Sequence, residues 1–90
     1  MKKKSIKVTI KGRVQGVFYR VSTREKAMKL NLTGWVKNCP DGSVEACFQG
    51  DESNVNEMIS WCHIGPEMAQ VDHVISIPSQ EPDYNDFYIT

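Results

Sequence analysis

The segment Gly12-Arg13-Val14-Gln15-Gly16-Val17-Phe18-Tyr19-Arg20 has the residue types and spacing to hold a phosphoryl group. Glycines at both ends of a short turn let successive main-chain N–H groups converge into a concavity that suits an anion. A helix starting where the turn ends adds the positive end of its dipole. That is worth up to about 1–2 kcal/mol toward a partly buried negative group. Arg20 stands at this junction, and its planar fork can grip two oxygens of a tetrahedral oxyanion. Neither a Walker A pattern nor G-x-G-x-x-G is present, which excludes a nucleoside-triphosphate loop, and so short a turn fits one phosphate. On spacing alone the segment also reads as a plain strand-to-helix connection carrying an exposed Arg.

The elements around the turn follow from periodicity. Ser5 to Gly12 alternates Ile6, Val8 and Ile10 with Lys7, Thr9 and Lys11, the pattern of a half-buried strand. Arg20 to Leu30 predicts a helix whose apolar face carries Val21, Ala27, Met28 and Leu30, with Asn31 as its left-handed exit residue. Thr33–Asn38 and Ser43–Gln49 predict two strands joined by Cys39-Pro40-Asp41-Gly42, a turn in which Asp accepts locally and Gly takes positive φ. Asp51 or Ser53 caps a second helix bearing Val55, Met58, Ile59 and Cys62, and Gly65-Pro66 ends it. Val71, Val74, Ile75 and Ile77 mark a fourth strand, and Phe87–Thr90 a short terminal one. This order predicts an α+β fold, a ferredoxin-like α/β sandwich (βαββαβ plus a terminal strand), with an antiparallel sheet and both helices on one face.

Ninety residues suffice for one domain, expected to span 1–90, and bury only roughly 60–65% of the unfolded surface. A hydrophobic share of 40% and a charged share of 24% are those of a globular core rather than a disordered chain. No run approaches the ~20 apolar residues of a membrane span, and Lys7 and Lys11 interrupt any signal-like stretch. The expectation is a cytoplasmic protein without membrane attachment. Cys39, Cys47 and Cys62 form neither a zinc pattern nor a disulfide framework. They read as free thiols, with a Cys39–Cys47 bridge or a redox-sensitive thiol as the alternatives.

Net charge is zero, but all eleven Lys and Arg lie at or before Lys37, and ten of eleven acids at or after Asp41. Such a split marks a nucleic-acid surface in some proteins; in others it vanishes when strands of the two halves interleave. The strand pattern favours interleaving, with Lys7 and Lys11 brought near Glu45. A positive local field around the first loop survives either way.

The string from Gly12 to Arg20, followed by Gly34-Trp35-Val36-Lys37-Asn38, Asp41-Gly42-Ser43-Val44-Glu45 and Gly65-Pro66, closely resembles the acylphosphatase family over nearly the whole chain. The resemblance implies hydrolysis of an acyl phosphate to a carboxylate and inorganic phosphate, with no metal and no cofactor. By it, the main-chain N–H groups of Gln15, Gly16, Val17, Phe18, Tyr19 and Arg20, with the Arg20 guanidinium, hold the phosphoryl oxygens. A phosphate or sulfate ion is then an expected occupant. Asn38 orients the attacking water, for which its amide offers both a donor and an acceptor. Before a Pro-Asp-Gly turn, an Asn also bonds simply to local backbone. Asn31 replaces the family's usual glycine, and Thr90 stands where a basic or aromatic residue is common.

His63 and His73 fall outside both motifs and read as surface residues; Trp35, Phe18 and Tyr19 read as packing or as cradle walls. Two other functions are weighed. A ferredoxin-like RNA-binding module stacks bases on aromatics of the open sheet face, whereas here Ile6–Ile10 has none and Glu45, Cys47 and Gln49 face out. A partner-binding domain that has lost turnover conflicts with intact Arg20 and Asn38. The partner expected is a small-molecule acyl phosphate, not nucleic acid, and the chain is expected to be a monomer.

Overall fold

Strict alternation commits Lys3–Arg13 to the first strand, β1, burying Ile6, Val8 and Ile10 and turning Lys7, Thr9 and Lys11 to the other side. In the computed structural model, which describes residues 2–90, the chain continues as α1 (Tyr19–Lys29), β2 (Thr33–Asn38), β3 (Val44–Asp51), α2 (Glu52–Cys62), β4 (Gln70–Pro78) and β5 (Phe87–Ile89). The sheet order is β4-β1-β3-β2-β5. Strands β1 to β4 pair antiparallel as expected, while β5 lies parallel to β2, so the complete sheet is mixed. Both helices cover one face, α1 over β2 and β5, and α2 over β1 and β3. This is the ferredoxin-like arrangement.

The direction of β5 follows from the segment before it. Residues 79–86 cross the face opposite the helices, bonding successively to Ser5 and Gln49, and reach the far edge at Gly34, near the start of β2. Running on alongside β2 is then necessarily parallel. Gly34 stands in register between Phe48 and Phe87, whose rings stack at 5.8 Å, and at φ 138° a Cβ on it would run into the Cys47 carbonyl.

The strand order alternates elements from the basic and acidic halves of the chain, so the charge split interleaves. Glu45 stands opposite Thr9, between Lys7 and Lys11, and its ion pair is with Lys37 at 3.7 Å. Lys26 meets Glu57 across the helices at 3.4 Å.

Helix α1 departs from the expected apolar face. Val21 and Met28 are each 49% exposed, and the buried row is Tyr19, Thr23 and Ala27. Burial of the two polar residues is tolerated because their hydroxyls are satisfied. Tyr19 Oη donates to the Cys62 carbonyl at 2.8 Å, and Thr23 Oγ1 to the Tyr19 carbonyl at 2.7 Å. Helix α2 buries Val55, Met58 and Cys62 as the spacing predicts, and Asp51 stands at its N-cap without a side-chain cap bond. Asn31 takes φ 55° after α1, the left-handed conformation expected there.

All three cysteines are free. Cys47 and Cys62 are buried, and burial pushes the Cys62 thiol up to about 12, so it stays protonated and unreactive. Cys47 lies beneath the crossing segment, where burial raises its thiol as well. The outward-facing Cys47 and Gln49 of the sequence reading are therefore covered: Gln49 bonds to Pro82 O and to the Tyr84 N–H, both at 2.9 Å.

Candidate active site

Topology brings the two sequence motifs together. Strands β1 and β2 both run antiparallel to β3, so they are parallel to each other and end at the same edge of the sheet. Ile10 and Asn38 flank Val44 in register, which places the turn after β1 beside the end of β2.

The turn is held from below by Val14 and Val17, both buried. Its backbone alternates in hand: Gly16 has φ 74° and Phe18 φ 64°, with Val17 and Tyr19 outside the positive region. Such alternation is how successive N–H groups come to point into one concavity. Phe18 is unusual in being a bulky residue in the left-handed region at a helix N-cap, a conformation that costs about 1–2 kcal/mol. Among the described residues, no main-chain or side-chain acceptor is bonded by the N–H groups of Gln15, Gly16, Val17, Phe18, Tyr19 or Arg20. The first helical bond runs from Ser22 N–H to Phe18 O at 3.0 Å.

Beside these amides lies a cleft of about 260 Å³ lined by Val14, Gly16, Phe18, Tyr19, Arg20, Val21 and Asn38. Its one charged side chain is Arg20; no acid lines it. Arg20 takes no part in the two ion pairs among the described residues. Asn38 contributes a buried Oδ1 with no hydrogen-bond partner among the described residues. An orphaned buried acceptor costs on the order of 1–3 kcal/mol, and native proteins rarely keep one without use. Asn38 lines the cleft, and a rotation of its amide about χ2 would present this oxygen to a small donor there. Among the described residues no group of three His, Cys, Asp or Glu is placed to hold a metal.

The remaining sequence candidates sort clearly. Gly16, Phe18, Tyr19, Arg20 and Asn38 line the cleft, whereas Val17 and the side chain of Gln15 do not. The Tyr19 ring is core, 5.6 Å from Trp61, so this residue offers the site its main chain. Trp35 lies on the opposite sheet face, donating to Glu81 at 2.8 Å, and is no cradle wall. His63 and His73 are exposed, as expected.

The Gln15 side chain has a role that the sequence reading missed. Its Nε2 donates to Cys39 O at 2.8 Å and Ser43 O at 2.9 Å, tying the turn to the base of the β2–β3 hairpin next to Asn38. Each carbonyl also has a main-chain partner, Gly42 N–H for Cys39 and Cys39 N–H for Ser43. Gln15→Leu is therefore expected to cost only about 1–2 kcal/mol of stability in urea unfolding. It is also expected to lower kcat several-fold, because the two halves of the site lose their cross-link; an unchanged kcat would remove Gln15 from the positioning apparatus.

A two-layer α+β sandwich with a singly cationic cleft of about 260 Å³ where β1 enters α1 defines the class of protein structurally. A family model described as acylphosphatase matches residues 6–89. An acylphosphatase of Rubrobacter xylanophilus is 54% identical over 71 residues, 79% of this chain and 64% of that protein. One of Geotalea uraniireducens is 46% identical over 83 residues, 91% of each chain. The solved structure of an acylphosphatase from Coxiella burnetii superimposes with a TM-score of 0.94 at 41% identity, covering 98% of this chain and 93% of that one. The chain belongs to the acylphosphatase family, whose members are hydrolases acting on acid anhydrides.

Proposed function

We propose that this chain hydrolyses the carboxyl–phosphate bond of acyl phosphates without a metal or other cofactor, using the turn and Asn38 as its machinery. The uncommitted N–H groups of Gln15 to Arg20 and the Arg20 fork hold the non-bridging phosphoryl oxygens. Asn38 Oδ1 accepts a hydrogen bond from a water and aims its lone pair at phosphorus, opposite the leaving oxygen. The water oxygen bonds to phosphorus as the bridging P–O bond breaks, and that electron pair departs with the carboxylate. One water proton passes to a phosphoryl oxygen, giving inorganic phosphate. A carboxylate is a good leaving group, so no general acid is needed. A loose phosphoryl-transfer transition state asks mainly for positioning and charge stabilisation.

The observation that carries this reading is that Asn38, whose buried Oδ1 has no partner among the described residues, lines the same cleft as an unpaired Arg20. Residues 1–90 act in this reading as one cytoplasmic, monomeric domain whose partner is the small substrate. Nucleic-acid binding is disfavoured, since segment 79–86 occupies the sheet face that would stack bases.

The test is hydrolysis of benzoyl phosphate by the purified chain with excess chelator present. Full turnover, unchanged by chelator, is expected, with inorganic phosphate as a competitive inhibitor. No turnover, or turnover abolished by chelator, overturns the proposal.

A further inference from the structure

We infer that Phe18 and Val21 form an acyl-group seat that tunes this chain to acyl phosphates with apolar acyl groups; the inference rests on the proposed phosphoryl transfer at the same cleft. Phe18 is 75% exposed and Val21 49% exposed, and both line the cleft that holds Arg20 and Asn38. Phe18 is the left-handed N-cap and Val21 lies in the first turn of α1, and the two meet at the same cleft. Neither is part of the buried core, and Val21 occupies a position that the sequence pattern would have placed inside.

Charge accounts for the other half of the preference. A phosphoryl group in the turn engages Arg20, the cleft's one charged side chain, and leaves no cation in it for an acyl group carrying its own carboxylate or phosphate. A charged acyl group would thus be desolvated against Phe18 and Val21 without a partner, whereas an apolar one gains by covering them. The cleft, at about 260 Å³, has room beyond the phosphoryl group for a small acyl group.

The test compares the full chain with Val21→Ser and Val21→Lys on benzoyl, acetyl and succinyl phosphate, with inorganic phosphate inhibition measured beside them. Val21→Ser is expected to raise KM for benzoyl phosphate roughly threefold to tenfold, the scale of about 30–50 Å² of lost apolar contact. Its KM for acetyl phosphate and its inhibition constant for phosphate should stay within twofold. Val21→Lys should shift the ratio of kcat/KM values toward succinyl phosphate, whose distal carboxylate then finds a cation. Equal effects on benzoyl and acetyl phosphate, or none on either, overturn the acyl seat while leaving the phosphoryl reading intact. Failure of the unsubstituted chain to turn over any of the three overturns both.

Discussion

Arg20→Ala is expected to abolish measurable phosphate binding and to lower kcat/KM for an acyl phosphate by about 10³-fold or more, while the chain still folds. The fold is expected to survive because Arg20 makes no ion pair within the chain and lies at the rim of α1 rather than in the core. The catalytic loss is large because a planar, permanently charged donor is removed from a cleft with no second charged side chain. Losing one preorganised donor from an electrostatic site typically costs about 10²–10³-fold, and removal of a full charge lies at the upper end. Arg20→Lys should recover only part of the loss, since an ammonium keeps the charge without the two-pronged geometry. Calorimetric titration with phosphate, steady-state rates and a urea curve measure the three effects. Wild-type turnover in the alanine variant would remove Arg20 from the mechanism.

Asn38→Ala should behave differently. Its kcat falls by about 10²–10³-fold, the cost of losing the group that places the nucleophile, while phosphate affinity changes less than about threefold. Stability is the sharper discriminator. If Oδ1 is idle until a water binds, deleting it removes a buried unsatisfied acceptor, and the urea midpoint stays level or rises slightly. If instead Asn38 served as a backbone fastener for the adjoining Pro-Asp-Gly turn, the variant would lose about 1–2 kcal/mol. That turn already has its own fastening, with Asp41 Oδ1 accepting from the Ser43 N–H at 2.9 Å and the Ser43 hydroxyl at 2.6 Å. Parallel losses in kcat and phosphate affinity would contradict the division of labour between Asn38 and the turn.

The features legible in the sequence were those encoded over a few neighbouring residues. Alternation in Ser5–Gly12, the Pro-Asp-Gly turn, the 3.6-residue spacing of Val55, Met58 and Cys62, and Asn31 at a helix exit each have a local physical cause. Their order was enough to deduce the ferredoxin-like sheet, while the pairing of the turn with Asn38 came from the family resemblance. What escaped depends on partners distant in the chain. The apolar spacing of α1 points inward at Val21 and Met28, whereas Cys62 O and the α1 backbone supply the hydrogen bonds that let Tyr19 and Thr23 be buried instead. Cys47 and Gln49 look exposed until a non-periodic segment, bounded by Pro78 and interrupted by Pro82, is laid across them. Gln15 carries no local sign that its amide reaches carbonyls 24 and 28 residues away. Phe18 runs against the rule that left-handed positions carry Gly or Asn, and the alternating hand of the turn overrides that propensity.

In the proposed mechanism a cluster of backbone amides and one guanidinium closes around a PO3 group at the entrance to α1. A crystal structure with inorganic phosphate tests it most directly. The expected result is an ion seated against the N–H groups of residues 15–20 at N···O distances of about 2.7–3.1 Å, with Arg20 on two of its oxygens and Asn38 facing it. Amides turned away from an ion bound elsewhere, or no ion bound at saturating phosphate, would contradict the account.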